Sequence, residues 1–214
     1  MEVRPVLLLA IAAAQGGLLV GVEVAFRRGL GPETTRRIAH AVGATSVAPL
    51  PLFLRLPELI VLAVLFTAVL VLTYERKMLR SVHAIRRASV GALVFPAGLL
   101  LAVLIGWHHT GAIAYAALVL GLPDPAAAFV GTRSKAVGWA VLGGHRTLAG
   151  SVAFGLVAFA VGVLVGLLAG RPDLLATAAA AGVLIAVEGS VGYGLDNLSV
   201  PGVASALGIV WLGL

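Results

Sequence analysis

Apolar residues run along this chain in long blocks, and the polar residues are confined to the gaps between them. Blocks at about 6–25, 37–54, 57–74, 88–106, 110–130, 147–169 and 173–193 approach the roughly 20 residues a helix needs to cross the hydrocarbon of a bilayer. A shorter block, about 200–214, is a last span or a half-span. The gaps alternate in character. "RRGLGPETTRR", "ERKMLRSVHAIRR", "GTRSKAVGWAVLGGHR" and "GLDNLSVP" are longer and mostly basic, whereas "RLPE", "WHHTG" and "GRPD" are tight turns. No series of short alternating strands appears, and backbone in lipid must satisfy itself, so the expected form is an all-α polytopic bundle of seven to eight spans. The opening "MEVRPVLLLAIAAAQGGLLVG" has the look of a secretory leader, but the similar blocks behind it favour a first membrane helix.

Composition strengthens that reading. Of 214 residues, 60% are hydrophobic and 11% charged, and the mean hydropathy is +1.08. A water-soluble domain of this size cannot hide so much apolar surface, so a single membrane domain, 1–214, is expected. There is no cysteine, which excludes disulfides and thiolate metal sites. Orientation follows from the cations. Arg27, Arg28, Arg36, Arg37, Arg76, Lys77, Arg80, Arg86, Arg87, Arg133, Lys135 and Arg146 fall in alternate gaps on one side, and only Arg4, Arg55 and Arg171 on the other. That bias puts the basic gaps in the cytoplasm and the N-terminus outside. Gly17 and Gly21, then Gly162, Gly166 and Gly170, recur at the spacing that lets helices pack closely.

The costly residues are the acidic ones at membrane depth, on the order of 3 kcal/mol each on insertion scales. Asp124 stands between two prolines near the cytoplasmic end of the fifth block, Glu188 near the same end of the seventh, Asp196 and Asn197 just beyond it, and Glu23 at that end of the first. His40 lies one turn from Arg36 and Arg37. Carboxylates and cations from distant parts of the chain are thus expected to meet at the inner face. Carboxylates there suit Mg²⁺, which takes oxygen ligands and keeps waters and substrate phosphates in its shell. Cations and helix N-termini suit the phosphates themselves. Gly131, Gly143, Gly144 and Gly150 allow close backbone approach, and "GGHRTLAGS" runs into a helix, but no Walker or protein-kinase motif is present. His108 and His109 lie on the opposite face and read as an interfacial turn.

Four stretches resemble the membrane-embedded lipid-alcohol kinases: dolichol, phytol and polyprenol kinases and the CTP-dependent diacylglycerol kinases, relatives of the phosphatidate cytidylyltransferases. "TTRRIAHAVGA" is similar to an Arg-Lys-x-x-His helix start. "RRASVGALVFPAG" is similar to a second basic stretch followed by Gly-Ala and Phe-Pro-x-Gly. "LPDPAAAFVGTRSK" with "GGHRTLAGS" resembles Gly-Asp-x-x-Ala-x-x-x-Gly followed by Lys-Ser/Thr-x-x-Gly-Ser. "VEGSVGYGLDNLSVP" resembles a late Glu…Asp-Asn-x-x-x-Pro segment. Pro123 stands where that family has Gly, Arg146 where it has Lys, and Ala149 where it has an acidic residue; Arg keeps the charge but presents a planar fork.

The resemblance implies transfer of a γ-phosphate, with CTP as the expected donor and ATP as the alternative, to the hydroxyl of a membrane lipid alcohol at the cytoplasmic surface. It implies Asp124, Asp196 and Asn197 at Mg²⁺. Asp124 and Glu188 are then the catalytic carboxylates, and Arg37, His40, Gly131, Arg133, Lys135, Arg146, Gly150 and Ser151 bind nucleotide phosphate. No nucleic-acid partner is expected, and an oligomer remains open. The rival readings are a phosphatidate cytidylyltransferase, a small transporter, and a family member that binds lipid without catalysis.

Overall fold

The computed structural model describes residues 4–83 and 90–214. Arg86 and Arg87 of the second basic stretch lie outside the described residues.

The described chain is mostly helical. Pro5–Arg27 (α1) begins with proline at its first turn, where the missing N–H costs nothing, and ends at a Gly29 with φ of 102°. Pro32–Thr45 (α2) is short and amphipathic, and it gives way to an irregular stretch with one 3₁₀ turn at Leu50–Leu52. The expected span at 37–54 is therefore not one helix: its apolar residues divide between the end of α2 and the loop beyond. Leu56–Glu75 (α3) is anchored at its start by Glu58, whose carboxylate accepts from the backbone N–H groups of Arg55 (2.7 Å) and Arg4 (2.8 Å).

After the single turn Arg80–His83 (α4) come Gly91–Ile105 (α5) and Thr110–Gly121 (α6). Pro123–Gly131 (α7) follows α6 after one intervening residue, so the "LPDP" prolines do interrupt the fifth block as the sequence suggests. A two-stranded hairpin, Gly138–Val141 (β1) with Gly144–Thr147 (β2), lies in a stretch expected to be loop. Leu148–Leu168 (α8), Leu174–Ser190 (α9) and Asp196–Val210 (α10) complete the chain. Thr147 caps α8 by accepting from Gly150 N–H at 3.1 Å, and Asp173 caps α9 by accepting from Ala176 N–H at 2.9 Å.

Four helical stretches among the described residues are long and apolar enough to cross a membrane: α1, α3, α6 with α7, and α8. They divide into two classes. The most apolar stretch of α6–α7 is 50% buried and that of α8 is 44%, whereas α1 and α3 bury only 11% and 17%. The core accordingly sits between α6, α8, α9 and α10, around Tyr115, Phe154, Leu184 and Ala204, and α1 and α3 lie outside it.

The tightest packing joins α5 to α10. A Cβ at Gly98 would run into the backbone carbonyl of Asn197. Asn197 donates its side-chain N–H to Gly91 O (2.9 Å), and Ser205 donates its hydroxyl to Ala102 O (2.9 Å). Gly98, Ala102 and Gly106 thus form a small-residue seam. The glycine series singled out in the sequence divides differently. Gly162 and Gly166 pack against α9 and the turn before it, but Gly17, Gly21 and Gly170 have nothing within 4 Å of a Cβ and are not packing positions among the described residues.

Candidate active site

Arg146 is the centre of the polar cluster. It lies on β2 opposite Trp139, and the hairpin is held down because the Trp139 indole N–H donates to Gly189 O at 2.8 Å. Across the hairpin tip, Leu142 packs so closely on Gly192 that its carbonyl fills the space a Cβ would need there. The hairpin therefore carries Arg146 over the junction of α9 and α10. One guanidinium nitrogen meets Glu188 Oε1 at 2.9 Å. The other donates to Asp196 Oδ2 at 2.8 Å and to Val191 O at 3.1 Å. The side chains of Arg146, Glu188 and Asp196 are 17%, 3% and 16% exposed, so this bidentate bridge is largely shielded from water. Burial pulls the Arg146 pKa down, but Glu188 and Asp196 outweigh it and hold the guanidinium above its ordinary range. Ser151 donates to the second Glu188 oxygen at 3.4 Å.

Asp124 completes the group. It shares a small cavity with Glu188, Asp196 and Asn197, so four residues from α7, α9 and α10 converge as the sequence suggested. The cavity measures about 10 Å³, enough for about one water-sized occupant. Among the described residues Asp124 has neither hydrogen bond nor ion pair, and it is half-buried.

Beside this group lies an open cleft of about 600 Å³, walled by Glu33, Arg36, Arg37, Asp124, Arg146 and Glu188. Gly131, Gly150 and Ser151 line its far side, where α7 and the start of α8 approach each other: a Cβ on Gly150 would sit 3.1 Å from Ala127 O. Both Arg36 and Arg37 reach Glu33, at 2.9 and 3.3 Å. Arg36 was passed over in favour of Arg37, yet it is the one that also lines the pocket beside Asp124, Asp196 and Arg146. Burial lowers the pKa of Arg36, and Glu33 with the more distant Asp124 and Asp196 more than offsets that, so its guanidinium too is held above the ordinary range. His145 lines the cleft and was also missed.

Three expected phosphate binders lie elsewhere. Arg133 is exposed, with its guanidinium 3.7 Å from the centroid of the Phe129 ring and bonded to Phe129 O, and Lys135 is exposed on the loop before the hairpin. Neither lines the cleft. His40 is buried, with its Nε2 2.9 Å from Leu120 O and its ring against Phe95, so it lies behind the cleft. Glu23 is also apart, pairing with Arg27 and accepting from Ser81 N–H.

Among the described residues no group of three or more His, Asp or Glu side chains is arranged to hold a metal ion by itself. Asn197 spends its amide N–H on Gly91. The donor set still suits Mg²⁺, which binds through one or two carboxylates and completes its shell with water and substrate phosphate. Asp124 is the uncommitted carboxylate, and Asp196 is the second. Compared with known proteins, the chain matches no family model, no curated protein and no solved structure.

Proposed function

We propose that this chain is a membrane lipid-alcohol kinase, moving the γ-phosphate of a nucleoside triphosphate onto a lipid hydroxyl at the cytoplasmic face of a bilayer. The observation that carries the reading is the juxtaposition of an uncommitted carboxylate, Asp124, with a doubly held arginine, Arg146, on one wall of a polar cleft large enough for a nucleotide triphosphate. Phosphoryl transfer needs positioning and charge neutralisation more than covalent help, and this wall offers both signs of charge. The resemblance of four sequence stretches to the dolichol and phytol kinases points the same way and favours CTP.

Arg146 and Arg36 would hold the phosphates, with Gly131 and Gly150 leaving room for them. Asp124 and Asp196 would hold Mg²⁺, which when bound neutralises charge on the phosphate oxygens. Glu188 orients the lipid hydroxyl and accepts its proton. The new bond joins the lipid oxygen to the γ-phosphorus, the bond from that phosphorus to the bridging oxygen breaks, and nucleoside diphosphate leaves.

The test is incubation of the full chain in detergent with a panel of lipid alcohols, Mg²⁺ and labelled CTP or ATP, with lipids read by mass spectrometry. A lipid phosphate with nucleoside diphosphate is the expected product; a CDP-lipid with pyrophosphate would make it a cytidylyltransferase instead. Asp124→Asn should lower turnover by roughly a hundredfold or more. Wild-type turnover in that variant would remove Asp124 from the mechanism.

A further inference from the structure

A second cavity, unlike the polar cleft, opens among the outer helices. α1 and α3 meet only sparsely, whereas α3 packs along α5, and between the three lies a chamber of about 130 Å³. Its walls are aliphatic and aromatic side chains such as Ile11, Leu62, Phe66, Leu99 and Val103. The one polar side chain in them, Gln15, donates an amide N–H to Ser46 Oγ at 2.5 Å. Such a wall offers an occupant almost entirely hydrocarbon contact.

The chamber adjoins another cavity. At its cytoplasmic end a narrower cavity of about 40 Å³ shares Leu19, Gly43, Phe66 and Phe95 with it. This neck is also lined by His40, Arg36 and Asn197. Arg36 and Asn197 in turn line the pocket that holds Asp124, Asp196 and Arg146. The apolar chamber, the neck and the polar pocket thus adjoin one another through shared lining residues, and the lining gains His40, Arg36 and Asn197 at the neck. The neck has room for only a few water-sized groups. A space of that size takes one hydrocarbon chain more readily than two.

We infer that the chamber is the tail site of the lipid substrate, that the hydroxyl end emerges past His40 and Asn197, and that the substrate is a single-chain alcohol and not a diacylglycerol. This rests on the kinase reading for the identity of the hydroxyl-bearing ligand, but the site itself rests on the apolar chamber and the neck that adjoins it. The chain enters sideways between α1 and α3, the two helices that bury least.

Gly16 gives a clean perturbation. It lines the chamber, and a Cβ built on it meets nothing within 4 Å. Gly16→Leu therefore adds bulk at the chamber wall with no clash at its Cβ. The probe is a polyprenol-type alcohol carrying a diazirine near its far end, photolysed with the full chain in nanodiscs and mapped by mass spectrometry. Crosslinks should fall on α1, α3 and α5. Gly16→Leu should cut them roughly tenfold, the change that about 1.4 kcal/mol of lost binding produces, while binding of labelled nucleotide stays unchanged. Diacylglycerol should compete far less well than unlabelled single-chain alcohol.

Crosslinks spread over the outer faces of α8 and α9 and indifferent to Gly16→Leu would overturn the tail site. Equal competition by diacylglycerol would overturn the single-chain selectivity. Crosslinks as expected, with no phosphate transferred from CTP or ATP, would leave the tail site standing and refute the kinase reading alone.

Discussion

The bridge between β2 and the last two helices makes Arg146→Met the most informative stability change. Methionine keeps much of the side-chain volume and removes the charge. It leaves Glu188, 3% exposed, and Asp196, 16% exposed, without the guanidinium that bridged them. Deleting one partner of a buried ion pair costs about 3–5 kcal/mol, because the charge left behind has lost both its counter-ion and its water. The loss stops well short of a full Born penalty because a carboxylate so stranded takes up a proton.

If the damage comes from the stranded charge, Arg146→Met with Glu188→Gln should be more stable than Arg146→Met alone, with a coupling of about 1–3 kcal/mol between the two positions. The measurement is a double-mutant cycle from SDS-titrated unfolding in mixed micelles, followed by circular dichroism. A single variant within about 0.5 kcal/mol of wild type, or a double variant whose losses simply add, would show that the bridge contributes nothing as a buried pair.

Other changes probe the surrounding frame. Asp124→Asn should leave unfolding within about 0.5 kcal/mol of wild type in the same titration, since its carboxylate bonds to none of the described residues. Gly98→Ala should destabilise by about 3 kcal/mol or prevent folding, because the added methyl meets the Asn197 backbone where no side chain can give way; yield and melting in detergent read this directly. Trp139→Phe removes the indole bond to Gly189 and should cost about 1 kcal/mol, with faster amide exchange confined to the hairpin. Thr147→Ala should cost about 1 kcal/mol through the lost cap of α8, and Thr147→Ser should restore most of it.

The long helices were readable because nothing interrupts them: α1, α3 and α8 each carry one apolar block between charged or glycine-marked ends. The stretch 37–54 was misread because hydropathy alone does not separate a helix from an apolar loop; Ser46, Pro49 and Pro51 were the available signal that α2 stops at Thr45. The hairpin was hidden for a related reason. Each strand has four residues, too few for a clear alternation, although Gly143, at a φ of 71°, marks the turn.

In the site, Asp124, Glu188 and Asp196 could be picked out because carboxylates beside lipid are expensive. Arg36 could have been found from helical spacing, since Glu33, Arg36 and His40 lie on one side of α2. No spacing rule identifies which loop cation swings into a cleft and which lies on a phenyl ring, so Arg133 and Lys135 were indistinguishable from Arg146 until the hairpin placed them. The direction of Gly17 and Gly21, open where Gly162 is packed, was equally beyond the pattern, because both series have the same period.

The order of the chain around the bridge has a consequence for biogenesis. Arg146 is synthesised forty-two residues before Glu188, on a hairpin that closes on its own hydrogen bonds. When α9 is made, the countercharge for its acidic side chain has already been synthesised. Asp196, by contrast, arrives after both. A ribosome-arrested chain ending before α10 would hold a half-neutralised Arg146 and lack the second carboxylate, so the pocket is finished only once α10 has been made.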